Sequence, residues 1–210
     1  MRRPIIQLPI LLTALLGAAM TFFFVKESQR KRELRLLLPR HDMFRSPDAD
    51  ELLANVNLRN LRTVLLPDGD FEVRVWIGFS VNGTDCLILR YFSGQWSAIH
   101  LQGMARAPTF PNSLTALPSP KSGWNRAWHR LINAGILTLP DAHAVNCNPR
   151  VLDGITYIVE TNINMTYRTY SYSNPDYESP WYKRCNEAKQ MILIGKIIGE
   201  EFGLEGFDLS

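Results

Sequence analysis

The stretch FEVRVWIGFSVNGTDCLILRYF, residues 71–92, decides how this chain folds. Phe71, Val73, Val75, Ile77 and Phe79 alternate with Glu72, Arg74, Trp76, Gly78 and Ser80, the period of two that marks a strand. Asn82-Gly83 follows at once, the strongest short hairpin signal, because both central positions of the tightest turns take positive φ. A two-residue turn there sets Val81 opposite Thr84, Phe79 opposite Cys86 and Ile77 opposite Ile88. Apolar residues then match across the pair, which supports that register.

Working outward, Ser93-Gly94 offers a second tight turn that pairs Tyr91 with Trp96, Leu89 with Ala98 and Ile88 with Ile99. The result is a three-stranded antiparallel meander. One face, with Phe79, Ile77, Cys86, Ile88, Ile99 and Leu101, is the expected core; the other carries Trp76, Leu89, Tyr91, Trp96 and Ala98, with Arg74 and His100 among them. A helix is expected over this second face, since exposed aromatic patches of that size are uncommon. Leu58 to Leu66 is expected to add an earlier strand, ended by the turn Pro67-Asp68-Gly69-Asp70. From Ala105 to Gly123 the chain holds Pro108, Pro111, Pro118 and Pro120 and reads as a long loop, a strap over the sheet anchored by Phe110 and Leu114.

A helix is expected from Gly123 to Ala134, capped by Ser122, stopped by Gly135, and packed through Trp124, Trp128, Leu131 and Ile132. Ile155, Tyr157 and Val159 then alternate with Thr156, Ile158 and Glu160, and a turn at Asn162 to Asn164 returns the chain through Thr166 to Tyr172 as a second hairpin. Cys185 to Phe202 reads as a closing amphipathic helix in which Gly195 and Gly199 allow close approach to the sheet. The expected fold class is α+β: an antiparallel meander plus a second hairpin, two helices packed on the sheet, and one N-terminal transmembrane helix before them.

That N-terminal helix is Pro4 to Val25, PIIQLPILLTALLGAAMTFFFV, which carries no charge. Its 22 residues suit the roughly 30 Å hydrocarbon core of a bilayer. Arg2 and Arg3 precede it, and Gly17-Ala18-Ala19 resembles a cleavage site, yet apolarity runs on through Phe22, Phe23, Phe24 and Val25. A retained anchor is therefore preferred to a cleaved signal or a buried core helix. The expected organisation is residues 1–25 as signal anchor, 26–57 as basic stalk and linker, and 58–210 as a single globular domain. Residues 1–45 hold nine Lys or Arg against three acids, and 46–210 hold fourteen against seventeen, so the basic charge belongs beside the anchor. The lipid bilayer is the partner implied there, and nucleic acid is not expected to be one.

Orientation is contested within the sequence itself. Lys26, Arg30, Lys31, Arg32 and Arg35 after the anchor favour a cytoplasmic domain by the positive-inside rule. The Arg2-Arg3 pair and the cysteines favour export. Cys147 and Cys185 flank the second hairpin, and joined they close a loop worth about 4 kcal/mol by chain entropy. A disulfide between them, in a domain on the extracytoplasmic side, is the expectation. Cys86, on a strand, reads as an ordinary buried thiol.

Catalytic signatures are missing from the sequence: no GxSxG, HExxH, GxGxxG, phosphate loop or CxxC. The histidines at 41, 100, 129 and 143 and the three cysteines show no metal-ligand spacing, so neither metal nor cofactor is expected. The expected function is binding of a protein or cell-envelope component without catalysis, through Tyr167, Tyr170 and Tyr172 of the second hairpin together with Phe110 of the long loop. An inhibitor or immunity protein at the membrane is the variant of the same class. The rival is a hydrolase of unrecognised type using His129 or His143 with a nearby carboxylate.

Overall fold

The computed structural model describes residues 53, 57–80, 83–102, 113–145, 147, 154–175 and 185–208. The expected anchor, the basic stalk up to residue 50 and Phe110 lie outside these residues. Among the described residues no helix is long and apolar enough to cross a membrane.

The domain is α+β. Strands β1 (Phe71–Ser80), β2 (Gly83–Phe92), β3 (Gln95–Gln102) and β4 (Ser113–Leu117) precede helix α1 (Trp124–Asn133); β5 (Thr156–Ile163), β6 (Thr166–Ser173) and helix α2 (Asn186–Phe202) follow. All six strands form one antiparallel sheet in the order β4-β3-β2-β1-β5-β6. The meander and the second hairpin, recognised separately in the sequence, are thus joined edge to edge, with Val75 opposite Val159.

The first hairpin forms, but in a different register. Trp76 faces Cys86, Val75 faces Leu87 and Glu72 faces Arg90, and the pair that flanks the turn is Ser80 and Gly83. A bulge between Gly78 and Ser80, with Gly78 at φ 116, takes up the irregularity. The offset from the expected pairing is an odd number of residues, so the two strands exchange partners between faces. Ile77 therefore joins Val73, Val75, Leu87 and Leu89 in the larger core, whereas Trp76 joins Cys86, Ile88 and Leu101 on the opposite face. The observed register also sets opposite charges, Glu72 and Arg90, across the strands. The β2–β3 pairing is the expected one, Tyr91 to Trp96 and Leu89 to Ala98.

Residues 58–66 are turn and coil, not strand. Both edges of β1 are occupied, by β2 and β5, so no ladder position beside it remains. Their carbonyls turn inward onto side chains instead: Asn162 Nδ2 donates to Leu61 O and Val64 O, each at 2.8 Å, and Arg74 Nη2 donates to Arg59 O at 2.8 Å. The fourth meander strand comes from the proline-rich stretch, where Ser113–Leu117 pairs with β3. Leu114, expected to anchor a strap, is 46% exposed.

Both helices contribute to the larger core. α1 buries Ala127 and Leu131, and Trp124 stacks on Trp96 at 5.4 Å with nearly parallel rings, covering the meander as expected. Its cap differs: Gly123, at φ 82, precedes the helix with no side-chain cap, because the Ser122 hydroxyl donates to Glu201 Oε1 of α2 at 2.9 Å. Arg130 pairs with Glu200 and Glu201, tying the same two helices together.

In α2, a Cβ placed on Gly195 would stand 2.3 Å from the Phe207 carbonyl and 3.0 Å from Tyr157 Oη. Alanine favours a helix interior over glycine by about 1 kcal/mol, but overpacking against backbone costs about 1–3 kcal/mol. Gly195→Ala is therefore expected to destabilise the domain, whereas Gly206→Ala, with nothing within 4 Å of its Cβ, is expected to be near neutral. Urea midpoints of the two variants check the contrast. Equal midpoints would show that the contact relaxes freely.

Candidate functional site

The three tyrosines expected to grip a partner are interior residues. Tyr167 is 8% exposed, Tyr170 1% and Tyr172 0%. Tyr170 and Tyr172 project to the helix side of the sheet, where their hydroxyls donate to Ile136 O at 2.9 Å and Pro140 O at 2.7 Å. Arg168 joins them by donating to Leu137 O and Leu139 O. Burial lowers the Arg168 guanidinium pKa and pushes the Tyr170 phenol up. Tyrosine suits a strand because its ring packs and its hydroxyl finds a buried carbonyl, and here that need is met by the chain leaving α1. Tyr170, Tyr172 and Arg168 thus fasten the residues after α1 onto β6.

Cys147 and Cys185 are joined, with Cα atoms 5.9 Å apart. The bridge ties the residues after α1 to the N-cap of α2, where Cys185 Sγ also accepts from Ala188 N at 3.3 Å. With Glu187 these cysteines are the one group of three possible metal donors among the described residues, but sulfurs held in a disulfide are not the thiolates that a metal requires. A disulfide fits an oxidising, extracytoplasmic compartment. Cys86 is fully buried, as expected, and desolvation raises its thiol pKa well above the ordinary value, which makes it inert.

His129 and His143 are both exposed. Asp141, beside His143 in sequence, is occupied by structure: its Oδ2 accepts from Ser171 N at 2.9 Å and its Oδ1 from His143 N at 3.0 Å. His100 was not among the expected site residues; its Nε2 lies 3.5 Å from Asp85 Oδ2 at the rim of a cavity of about 230 Å3.

A concavity lies on the sheet face away from α1 and α2. Residues 57–66 lie over β1 and β2 there and leave a cavity of about 540 Å3, within the usual range for small-molecule sites. Leu58, Leu61, Val64, Leu66 and Phe92 supply its apolar wall. Its charged lining is Arg59, Arg74 and Arg90 against Glu72.

The register described above builds this lining. Glu72, Arg74 and Arg90 share one face because Glu72 opposes Arg90 and Arg74 follows two residues along β1. Glu72 Oε1 accepts from Arg74 Nε at 2.6 Å and its Oε2 from Arg90 Nε at 2.8 Å. Behind them Glu160, 0% exposed, accepts from Trp76 Nε1 at 2.8 Å and Tyr167 Oη at 2.9 Å, with Arg74 Nη1 at 4.0 Å. Burial raises the Glu160 pKa against the opposing pull of Arg74 and the two hydrogen bonds. Strand periodicity alone does not single out Glu72, Arg74 and Arg90, because the face on which each stands depends on register.

No protein-family model matches the chain, and no characterised protein matches it in sequence.

Proposed function

We propose that this chain is a membrane-anchored, exported domain that binds a protein or cell-envelope component without catalysis. The observation that carries the reading is the cavity of about 540 Å3 in which apolar side chains surround three arginines and one glutamate. A concave apolar site with a few convergent polar groups is what ligand recognition requires. The disulfide supports export. Neither His129 nor His143 lines this cavity, so the hydrolase reading draws no support from it.

The test uses the full chain in its native membrane, crosslinked and purified. An envelope component is expected to be recovered with the wild-type chain and lost with Arg90→Glu. Recovery indifferent to Arg90→Glu removes the cavity from the reading. Release of a hydrolysed product, abolished by His129→Ala with His143→Ala, replaces it with the hydrolase.

A further inference from the structure

Resting on that reading, we infer that the cavity takes a small amphiphilic anion, a single carboxylate on an alkyl or aryl body, with the carboxylate seated on Arg74 and Arg90.

One carboxylate holds both guanidiniums. Glu72, itself only 5% exposed in its side chain, grips both by their Nε atoms, one on each carboxylate oxygen. That geometry fixes the planes of both groups and leaves their distal nitrogens for other partners. Arg74 commits Nη2 to the Arg59 carbonyl, while its Nη1, 4.0 Å from Glu160 Oε2 and so paired in charge only, has no hydrogen-bond partner although the side chain is 1% exposed. Arg90, 26% exposed in its side chain, uses Nε alone for hydrogen bonds among the described residues, with its guanidinium 5.9 Å from the Phe92 ring centre. A buried guanidinium N–H without an acceptor is costly, and such atoms are rare in native structures. An incoming carboxylate supplies the acceptor, and paired guanidiniums hold carboxylates in a fixed, often bidentate geometry.

Charge selects the sign of the ligand. Arg59, Arg74 and Arg90 outnumber Glu72 in the lining, so a cation entering the cavity meets an excess of positive charge. The wall selects the rest of the molecule. Leu58, Leu61, Val64, Leu66 and Phe92 offer nothing to a hydrated anion such as acetate but gain from burying hydrocarbon. The arrangement therefore favours a molecule with both halves.

The experiment uses the full chain in nanodiscs of zwitterionic lipid and three probes measured by calorimetry: 4-butylbenzoate, 4-butylbenzylammonium and acetate. Binding of 4-butylbenzoate at least 10-fold tighter than either other probe is expected. It should weaken at least 10-fold in Arg90→Gln, less in Arg90→Lys, and not at all in Arg126→Gln, an exposed arginine on α1. Far-UV circular dichroism and the melting temperature of Arg90→Gln establish that it is folded; should it not fold, raising salt from 50 to 500 mM serves in its place and is expected to weaken binding of the benzoate alone. Equal binding of the benzoate and the ammonium, no binding of any probe, or binding unaffected by both Arg90→Gln and salt overturns the inference. Any of these with envelope capture still dependent on Arg90 discards the ligand class and leaves the binding function in place.

Discussion

Replacing Glu160 by alanine lowers the stability of the domain by about 3–5 kcal/mol, the loss expected when one member of a buried charged network is removed. Glu160 is 0% exposed, and its carboxylate is the acceptor for Trp76 Nε1 and Tyr167 Oη while it faces Arg74. Alanine leaves those two donors unpaired in the interior and takes a negative charge from beside a guanidinium that is itself 1% exposed. Tyr167→Phe, which removes one hydrogen bond to a carboxylate, is expected to lose only about 1–3 kcal/mol. Glu160→Gln retains an acceptor oxygen and should fall between wild type and alanine. Urea unfolding with an unchanged slope measures all three. A loss below about 1 kcal/mol for Glu160→Ala would mean that the donors find other acceptors, and the network as described would be wrong.

The second large effect is reduction of the Cys147–Cys185 bridge. Its sequence separation of 38 corresponds to about 4 kcal/mol of loop-closure entropy in the unfolded chain. For a domain of this size that amounts to a fall in melting temperature of about 10 °C. The double variant Cys147→Ser with Cys185→Ser isolates the bridge from the cap, since serine at the start of α2 can still accept from Ala188 N. Mass analysis after alkylation, with and without reductant, reports whether the bond is present. Two freely alkylated thiols in native material, or a melting temperature indifferent to reductant, would refute its role.

Sequence pattern reached the elements more surely than their partners. Alternation and turn signals over Phe71–Gln102 and Thr156–Ser173, with helical spacing at Trp124 and in α2, named seven of the eight long elements among the described residues, because each signal is local. β4 was hidden among prolines, which cluster on both sides of Ser113–Leu117 and not within it. Residues 58–66 read as a strand ended by the turn at Pro67-Asp68-Gly69-Asp70, yet their carbonyls serve Asn162 and Arg74, acceptor roles no window of sequence reveals. The tyrosines illustrate the same limit for the site. Tyr170 and Tyr172 are equally suited to a wet face or a core, and the carbonyls at 136 and 140 that settle the matter are more than 30 residues away.

The cavity shows this most sharply. Glu72, Arg74 and Arg90 are plain charges in a strand pattern, and their gathering depends on a bulge between Gly78 and Ser80 that shifts β1 against β2. What the sequence determined by itself was the α+β class, the Ser93-Gly94 turn with its β2–β3 register, the pairing of Cys147 with Cys185, and the close approach at Gly195. Each follows from residues that admit few local conformations or few partners. What only the tertiary structure decided was which face each β1 side chain joins, that six strands make one sheet, and where the arginines meet. Those outcomes rest on long-range register, where an odd shift leaves the local pattern intact and exchanges every side chain between core and surface.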